Sequence, residues 1–170
     1  VTTLVEPAST DPKTIADRIY RNRKRSKGGP ARMVVVFSTY QSVERVGTAQ
    51  REYARKVGQE RAVFDFLICD EAHRTTGVII ENAAKEDREN ACFTFVHDNG
   101  NVNARKRMYM TATPRIYSDN AKEKAQENEA LLCSMDDEAM YGKEFYNLTF
   151  GKAVEQKLLS DYKVIIQTID

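Results

Sequence analysis

Two short runs, almost wholly apolar, fix the architecture open to this chain. Met33-Val34-Val35-Val36-Phe37 is a continuous, β-branched stretch, the pattern of a strand buried on both faces. Ala62-Val63-Phe64-Asp65-Phe66-Leu67-Ile68-Cys69 is a second such run. Between them Val43, Val46, Tyr53, Ala54 and Val57 fall on one side of a helix, with Ser42 placed to cap its start and Gly58 near its end. Buried strands alternating with helices predict an α/β fold: a mostly parallel sheet covered by helices on both faces.

The remaining segments are read from the same rules. Asp11-Pro12 has the form of an N-cap followed by a first-turn proline, and Ile15, Ala16, Ile19 and Tyr20 then recur at helical spacing. Residues 1–10 before it read as extended. Residues 21–30, Arg-Asn-Arg-Lys-Arg-Ser-Lys-Gly-Gly-Pro, form a basic, breaker-rich loop. Such a loop is either a solvated connector or a phosphate-contacting element. Residues 74–104 are polar, and Ala91–His97 fits either a strand or a helical turn. Lys106–Thr111 reads as a third strand, stopped by Ala112-Thr113-Pro114. Residues 119–133, rich in Ala, Glu, Lys and Leu, predict a helix broken by Ser134-Met135-Asp136-Asp137. Tyr146–Phe150 reads as a short strand, Lys152–Leu159 as a helix with Val154, Leu158 and Leu159 inward, and Tyr162–Ile169 as a final strand.

Composition narrows the function classes. Apolar residues are 41% and charged residues 30% of the 170 positions, the balance of a globular chain rather than a disordered one. No run approaches the roughly 18–20 apolar residues of a membrane span. Net charge is +1, so any nucleic-acid binding must come from local patches rather than a global field. The cysteines number 3 and the histidines 2, with no CxxC, which speaks against a zinc site, a multi-His metal site or a disulfide framework. Reduced thiols fit a cytoplasmic location. The start, Val1-Thr2-Thr3-Leu4-Val5-Glu6, lacks Met, a basic region and an apolar stretch, and reads as an internal start in a longer protein.

The chemistry gathers where α/β sheets bind their ligands, beyond the carboxyl ends of strands. Asp70 and Glu71 follow the second apolar run directly. Two adjacent carboxylates there are costly unless a positive group neutralises them, and Mg²⁺ with nucleotide phosphates is the fitting partner. One acid holds the metal, in part through water, and the other orients and activates the attacking water. A single Asp after a strand is commonly a helix cap. The full string Asp70-Glu71-Ala72-His73 would arise by chance in about one chain in a thousand of this length, which favours function over capping. Thr111-Ala112-Thr113-Pro114-Arg115 ends the next strand. Alone it is a weak pattern, and the two together are specific.

Asp70-Glu71-Ala72-His73 resembles motif II (Walker B) of superfamily 2 helicases and translocases, and Thr111-Ala112-Thr113 resembles their motif III. Thr39-Tyr40-Gln41-Ser42, after Val34–Phe37, is similar to their nucleic-acid-contacting motif Ib. Order and strand-end placement match the first RecA-like domain of that superfamily. The wider phrasing is similar to the helicase-like region of bacterial restriction-modification enzymes, with type ISP and type III-like systems nearest. That phrasing comprises residues 70–77, residues 107–115, and Ser134-Met135-Asp136-Asp137 before Tyr141-Gly142. The resemblance covers most of the chain.

The resemblance implies that Asp70 coordinates Mg²⁺, Glu71 activates the hydrolytic water, and His73 links the nucleotide site to motif III or to a second RecA-like domain. A capping or packing histidine is the competing reading of His73. Thr111 and Thr113 stand with Asp70 and Glu71 on the nucleotide side and would couple ATP state to nucleic-acid grip, with plain strand-end hydrogen bonding as the competing reading. Thr39 and Gln41 would contact the phosphate backbone, though a turn with a helix cap explains them equally. Arg23, Arg25 and Lys27 would add phosphate contacts. Arg74 fits an ion-pair partner of neighbouring acids as well as a functional residue, and Ser134–Asp137 fits a polar helix terminator.

No GxxxxGK[ST] occurs in the 170 residues, so the phosphate-cradling loop and its lysine are missing here. The chain is therefore expected to be the C-terminal portion of a first RecA-like motor domain. Alone it would show negligible ATPase activity and weak, salt-sensitive DNA binding through residues 18–32. The leading expectation is an ATP- and Mg²⁺-dependent duplex-DNA translocase of a restriction or related defence enzyme, with nuclease and methyltransferase domains attached. An RNA or DNA helicase that unwinds its substrate is the alternative within the class. A non-catalytic nucleic-acid-binding or regulatory module is the alternative outside it.

Overall fold

The structure is a computed structural model and describes residues 7–23, 33–79, 93–128 and 130–161. Helix α1 spans Pro12–Arg23. Asp11 caps it as expected, its carboxylate accepting from the Thr14 amide at 2.9 Å and from the Thr14 hydroxyl at 2.5 Å. Helix α2 spans Val43–Val57 and ends at Gly58, whose φ of 88° only glycine adopts without strain. Ser42 occupies the N-cap position, but its side chain makes no capping bond.

The strands are short. β1 is Leu67–Cys69, β2 is Gly77–Ile79, β3 is Arg107–Tyr109 and β4 is Leu131–Cys133. β1 and β3 pair in parallel with Cys69 opposite Tyr109, and Phe64 adds an isolated parallel bridge to Ala104. These contacts carry the α/β fold that the sequence predicts. An antiparallel pair, β2 with β4 in the register Gly77 to Cys133, was not expected. Helix α3 covers Asp119–Glu127, and two short helices follow, α4 at Glu138–Tyr141 and α5 at Phe150–Glu155. Among the described residues no helix is long and apolar enough to cross a membrane.

Two small cores result. In the first, Ala16 and Ile19 of α1 meet Ala49, Tyr53 and Ala54 of α2, with Val34 and Val36 packed alongside. The second joins Val43, Cys69, Ala72, Val96 and Val102, with Tyr40, Phe64, Leu67, Phe95 and Tyr109 at its margin. Each larger aliphatic side chain so buried contributes about 1.5–3 kcal/mol. The second core lies directly beneath the strand end carrying Asp70.

Helix α2 also fixes the start of β3. Buried Gln50 donates to the carbonyls of Ala62 and Asn103, each at 2.7 Å, and accepts from the Asn103 amide at 2.8 Å. One turn earlier, Gly47 lies so near Asn101 that a Cβ would collide with its carbonyl oxygen. Arg107 then ties β3 to the preceding turns, donating to the carbonyls of Val96 at 2.7 Å and Val102 at 2.8 Å.

Several expected elements differ. Residues 33–37 form no strand and pair with none among the described residues. Val34 and Val36 face the first core, while Met33 and Phe37 are 88% and 92% exposed, so one face is buried rather than two. The second apolar run pairs as a ladder only from Leu67, and Phe66 and Ile68 point outward. The helix expected over 119–133 stops at Glu127, because only Ala125 of it is buried. Pairing of Leu131–Cys133 with β2 overrides helical propensity there. Ser134–Asp137 consequently follows a strand and does not terminate a helix. Tyr146–Phe150 forms no strand. Thr149 accepts from the Lys152 amide and starts α5 at Phe150. That helix ends at Glu155 and buries Ala153, leaving Leu158 and Leu159 exposed. Of Ala91–His97, residues 93–97 are helical turns. The final strand expected at 162–169 lies outside the described residues.

Candidate active site

Parallel pairing of β1 with β3 sends two loops out side by side. The ladder continues past the strands: the Met110 amide donates to the Cys69 carbonyl at 2.9 Å, and the Ala72 amide to the Met110 carbonyl at 2.8 Å. Asp70-Glu71 and Thr111-Ala112-Thr113 therefore leave one edge of one sheet. Buried Ala72 and Cys69 anchor the first loop from below.

Asp70 and Glu71 are both exposed. The Glu71 amide donates to Asp70 Oδ1 at 2.9 Å. Glu71 has a φ of 50° and ψ of 45°, left-handed backbone for a residue with a side chain. Such a conformation costs on the order of 1–3 kcal/mol and persists where surrounding bonds over-determine it. A 3₁₀ turn, Ala72–Thr75, follows at once and carries His73 inward.

His73 Nδ1 faces three oxygens: Thr111 Oγ1 at 2.9 Å, Glu71 Oε2 at 3.4 Å and Thr113 Oγ1 at 3.5 Å. Thr111 Oγ1 also accepts from the Thr113 amide at 3.1 Å. One imidazole nitrogen thus joins the acidic loop to the threonine loop. His73, Glu71, Thr111 and Thr113 are brought together, with Asp70 adjoining. Thr39 and Gln41 are exposed on either side of half-buried Tyr40, in the turn before α2. Arg23 is the last residue of α1. Arg25 and Lys27 lie outside the described residues. Arg74 lies over the Phe93 ring, 5.8 Å from its centroid, and makes no ion pair among the described residues.

Beneath the loops is a second polar layer that sequence reasoning missed. The Thr75 carbonyl accepts from the Tyr141 hydroxyl at 3.0 Å and from His97 Nε2 at 3.0 Å. His97 Nδ1 accepts from the Tyr109 hydroxyl at 2.9 Å. The His97, Tyr109 and Tyr141 rings pack with centroids 4.9–5.3 Å apart. Burial holds the His97 imidazole below its ordinary value and pushes the Tyr141 phenol up to about 12. The cluster is therefore neutral. Cys69 and Cys133 are free, buried thiols, pushed up to about 11 by burial and so unreactive. Buried Ser134 accepts from the Tyr117 amide at 3.0 Å and donates to Asp136, and Asp137 caps α4. That segment delivers Tyr141 to the layer. The only sequence signal for it is the close spacing of Asp137, a capping residue, and Gly142.

The donor set suits a hard cation at one point. Among the described residues no group of three or more His, Cys, Asp or Glu side chains could hold a metal alone. Asp70 offers exposed carboxylate oxygens at a strand end, which fits Mg²⁺ held by one carboxylate together with water and phosphate oxygens.

The family model of the type III restriction enzyme res subunit matches residues 5–116. A comparison with curated proteins gives no match. Among solved structures, the chain is 45% identical to the ATP-dependent type ISP restriction-modification enzyme LlaBIII bound to DNA, with a TM-score of 0.65. It is 41% identical to a nuclease-deletion mutant of the type ISP enzyme LlaGI in complex with a DNA substrate mimic, with a TM-score of 0.64. Each match covers 93% of this chain and 10% of the solved one, so the chain spans a tenth of the length of those enzymes.

Proposed function

The chain belongs to the family of type III restriction enzyme res subunits, and on that premise we propose that it is part of an ATP-dependent motor that moves on duplex DNA within a restriction-modification enzyme. It forms the C-terminal portion of the first RecA-like domain of that motor, working against a second such domain in the same parent chain. LlaBIII, at 45% identity, is ATP-dependent and bound to DNA, which supports both substrates.

The observation that carries the reading is the contact of His73 Nδ1 with Thr111 Oγ1 at 2.9 Å, between two loops from parallel neighbouring strands. In this reading Asp70 holds Mg²⁺, which neutralises phosphate charge. Glu71 orients the attacking water and takes its proton. Its carboxylate is exposed toward solvent and turned by the left-handed backbone at φ 50°. His73 transmits changes at Glu71 to Thr111 and Thr113. Thr39 and Gln41, exposed in the neighbouring turn, contact the phosphate backbone of DNA, and Arg23, Arg25 and Lys27 add salt-sensitive attraction.

The test is ATP hydrolysis by the full-length enzyme with and without duplex DNA, beside a strand-displacement assay. DNA-stimulated hydrolysis without strand separation is expected. Hydrolysis that ignores DNA, or none at all, would contradict the motor. Efficient displacement would make it an unwinding helicase.

A further inference from the structure

Tyr40 sits between the two residues assigned to DNA contact, yet its side chain points the other way. Thr39 and Gln41 are exposed, while Tyr40 is half-buried against the core that contains Cys69 and Ala72. Its hydroxyl donates to the Asp70 carbonyl at 2.7 Å, across 30 residues of sequence. That carbonyl and the Glu71 amide belong to one peptide group, and the amide donates to Asp70 Oδ1 at 2.9 Å. The peptide joining the two carboxylate residues is thus held at its oxygen by Tyr40 and at its nitrogen by Asp70. The left-handed turn at Glu71 follows immediately.

We infer that Tyr40 is a positioning residue through which DNA contact at Thr39 and Gln41 sets the Asp70–Glu71 peptide, and with it the rate of ATP hydrolysis. The inference rests on the proposed motor and adds its coupling route. A peptide rotation at this point turns both carboxylates, because one precedes it and the other follows it. Movement of the 39–41 turn by a bound strand reaches that peptide through one hydrogen bond. The Tyr40 ring is seated against Phe93, with centroids 5.7 Å apart and Arg74 over the same Phe93 ring. The ring therefore has a packed side that constrains its motion. Burial raises the Tyr40 phenol well above its ordinary value, so the hydroxyl remains a donor at every working pH.

Tyr40→Phe in the full-length enzyme removes the hydroxyl and keeps the packed ring. The readout is the ratio of ATP turnover with saturating duplex DNA to turnover without it, alongside the DNA concentration for half-maximal stimulation. The ratio is expected to fall at least about fivefold, with that DNA concentration little changed, because Thr39 and Gln41 remain. A Tyr40→Phe enzyme with the wild-type ratio overturns the inference, as does an equal loss of both turnovers, which marks a structural bond only. A wild-type enzyme that DNA fails to stimulate removes the motor reading itself, and the coupling with it.

Discussion

His73 Nδ1 and Thr111 Oγ1 stand 2.9 Å apart although 38 residues separate them in the chain. Parallel pairing of β1 with β3 makes this possible, since parallel strands release their following loops from the same edge. If the contact transmits nucleotide state, its two ends act as a unit. His73→Ala and Thr111→Val are each expected to lower DNA-stimulated ATP turnover, and the double variant to fall little below the worse single. A double-mutant cycle on turnover is expected to give a coupling of about 1 kcal/mol. Additive losses would mean that the histidine and the threonine act separately.

Buried His97 makes stability depend on pH. It accepts through Nδ1 from Tyr109 and donates through Nε2 to the Thr75 carbonyl, an arrangement that needs the neutral ring. Burial holds its folded value below that of a free imidazole. The unfolded state therefore binds the proton first as pH falls. The stabilisation from neutral His97 is complete above about pH 6.5 and is lost as pH drops below it. Urea unfolding at pH 7.5 and 5.5 is expected to show this loss in the wild type and a smaller one in His97→Gln. Equal losses would place the titrating group elsewhere.

The attachment of α2 to the loop before β3 is expected to be energetically prominent. Gln50→Leu takes the Gln50 partner from the Ala62 carbonyl and the Asn103 amide, while the Asn103 carbonyl keeps the Phe64 amide, at a cost of about 2–4 kcal/mol. Gly47→Ala forces a methyl group onto the Asn101 carbonyl, at a cost of about 1–3 kcal/mol. Chemical denaturation measures both. A neutral Gly47→Ala would mean that the 98–103 turn yields freely.

The legible parts of this chain were those in which local chemistry and tertiary packing agree. Asp11-Pro12 announces α1, and the apolar stripe from Val43 to Val57 announces α2 with its stop at Gly58. The acid and threonine strings were legible because each directly follows an apolar run, and the parallel pairing joins their loops. The strands were overdrawn, since an apolar run reports hydrophobicity but not the number of buried faces. Met33 and Phe37 show the difference. Leu131–Cys133 was hidden because its partner, Gly77–Ile79, lies far off in sequence and only the pairing makes either a strand. The layer of His97, Tyr109 and Tyr141 could not be read for the same reason: its members share no local pattern, and convergence on the Thr75 carbonyl is a tertiary fact.

The most direct measurement of the central claim is ATP hydrolysis by the full-length enzyme, with and without duplex DNA, for wild type and Glu71→Gln. The substitution keeps the size and planar shape of the side chain but removes the general base, so DNA-stimulated turnover is expected to fall about 10²- to 10⁴-fold. Glu71→Gln turnover equal to that of the wild type would contradict the account, move the catalytic base elsewhere, and reduce the Asp70–His73 loop to a scaffold.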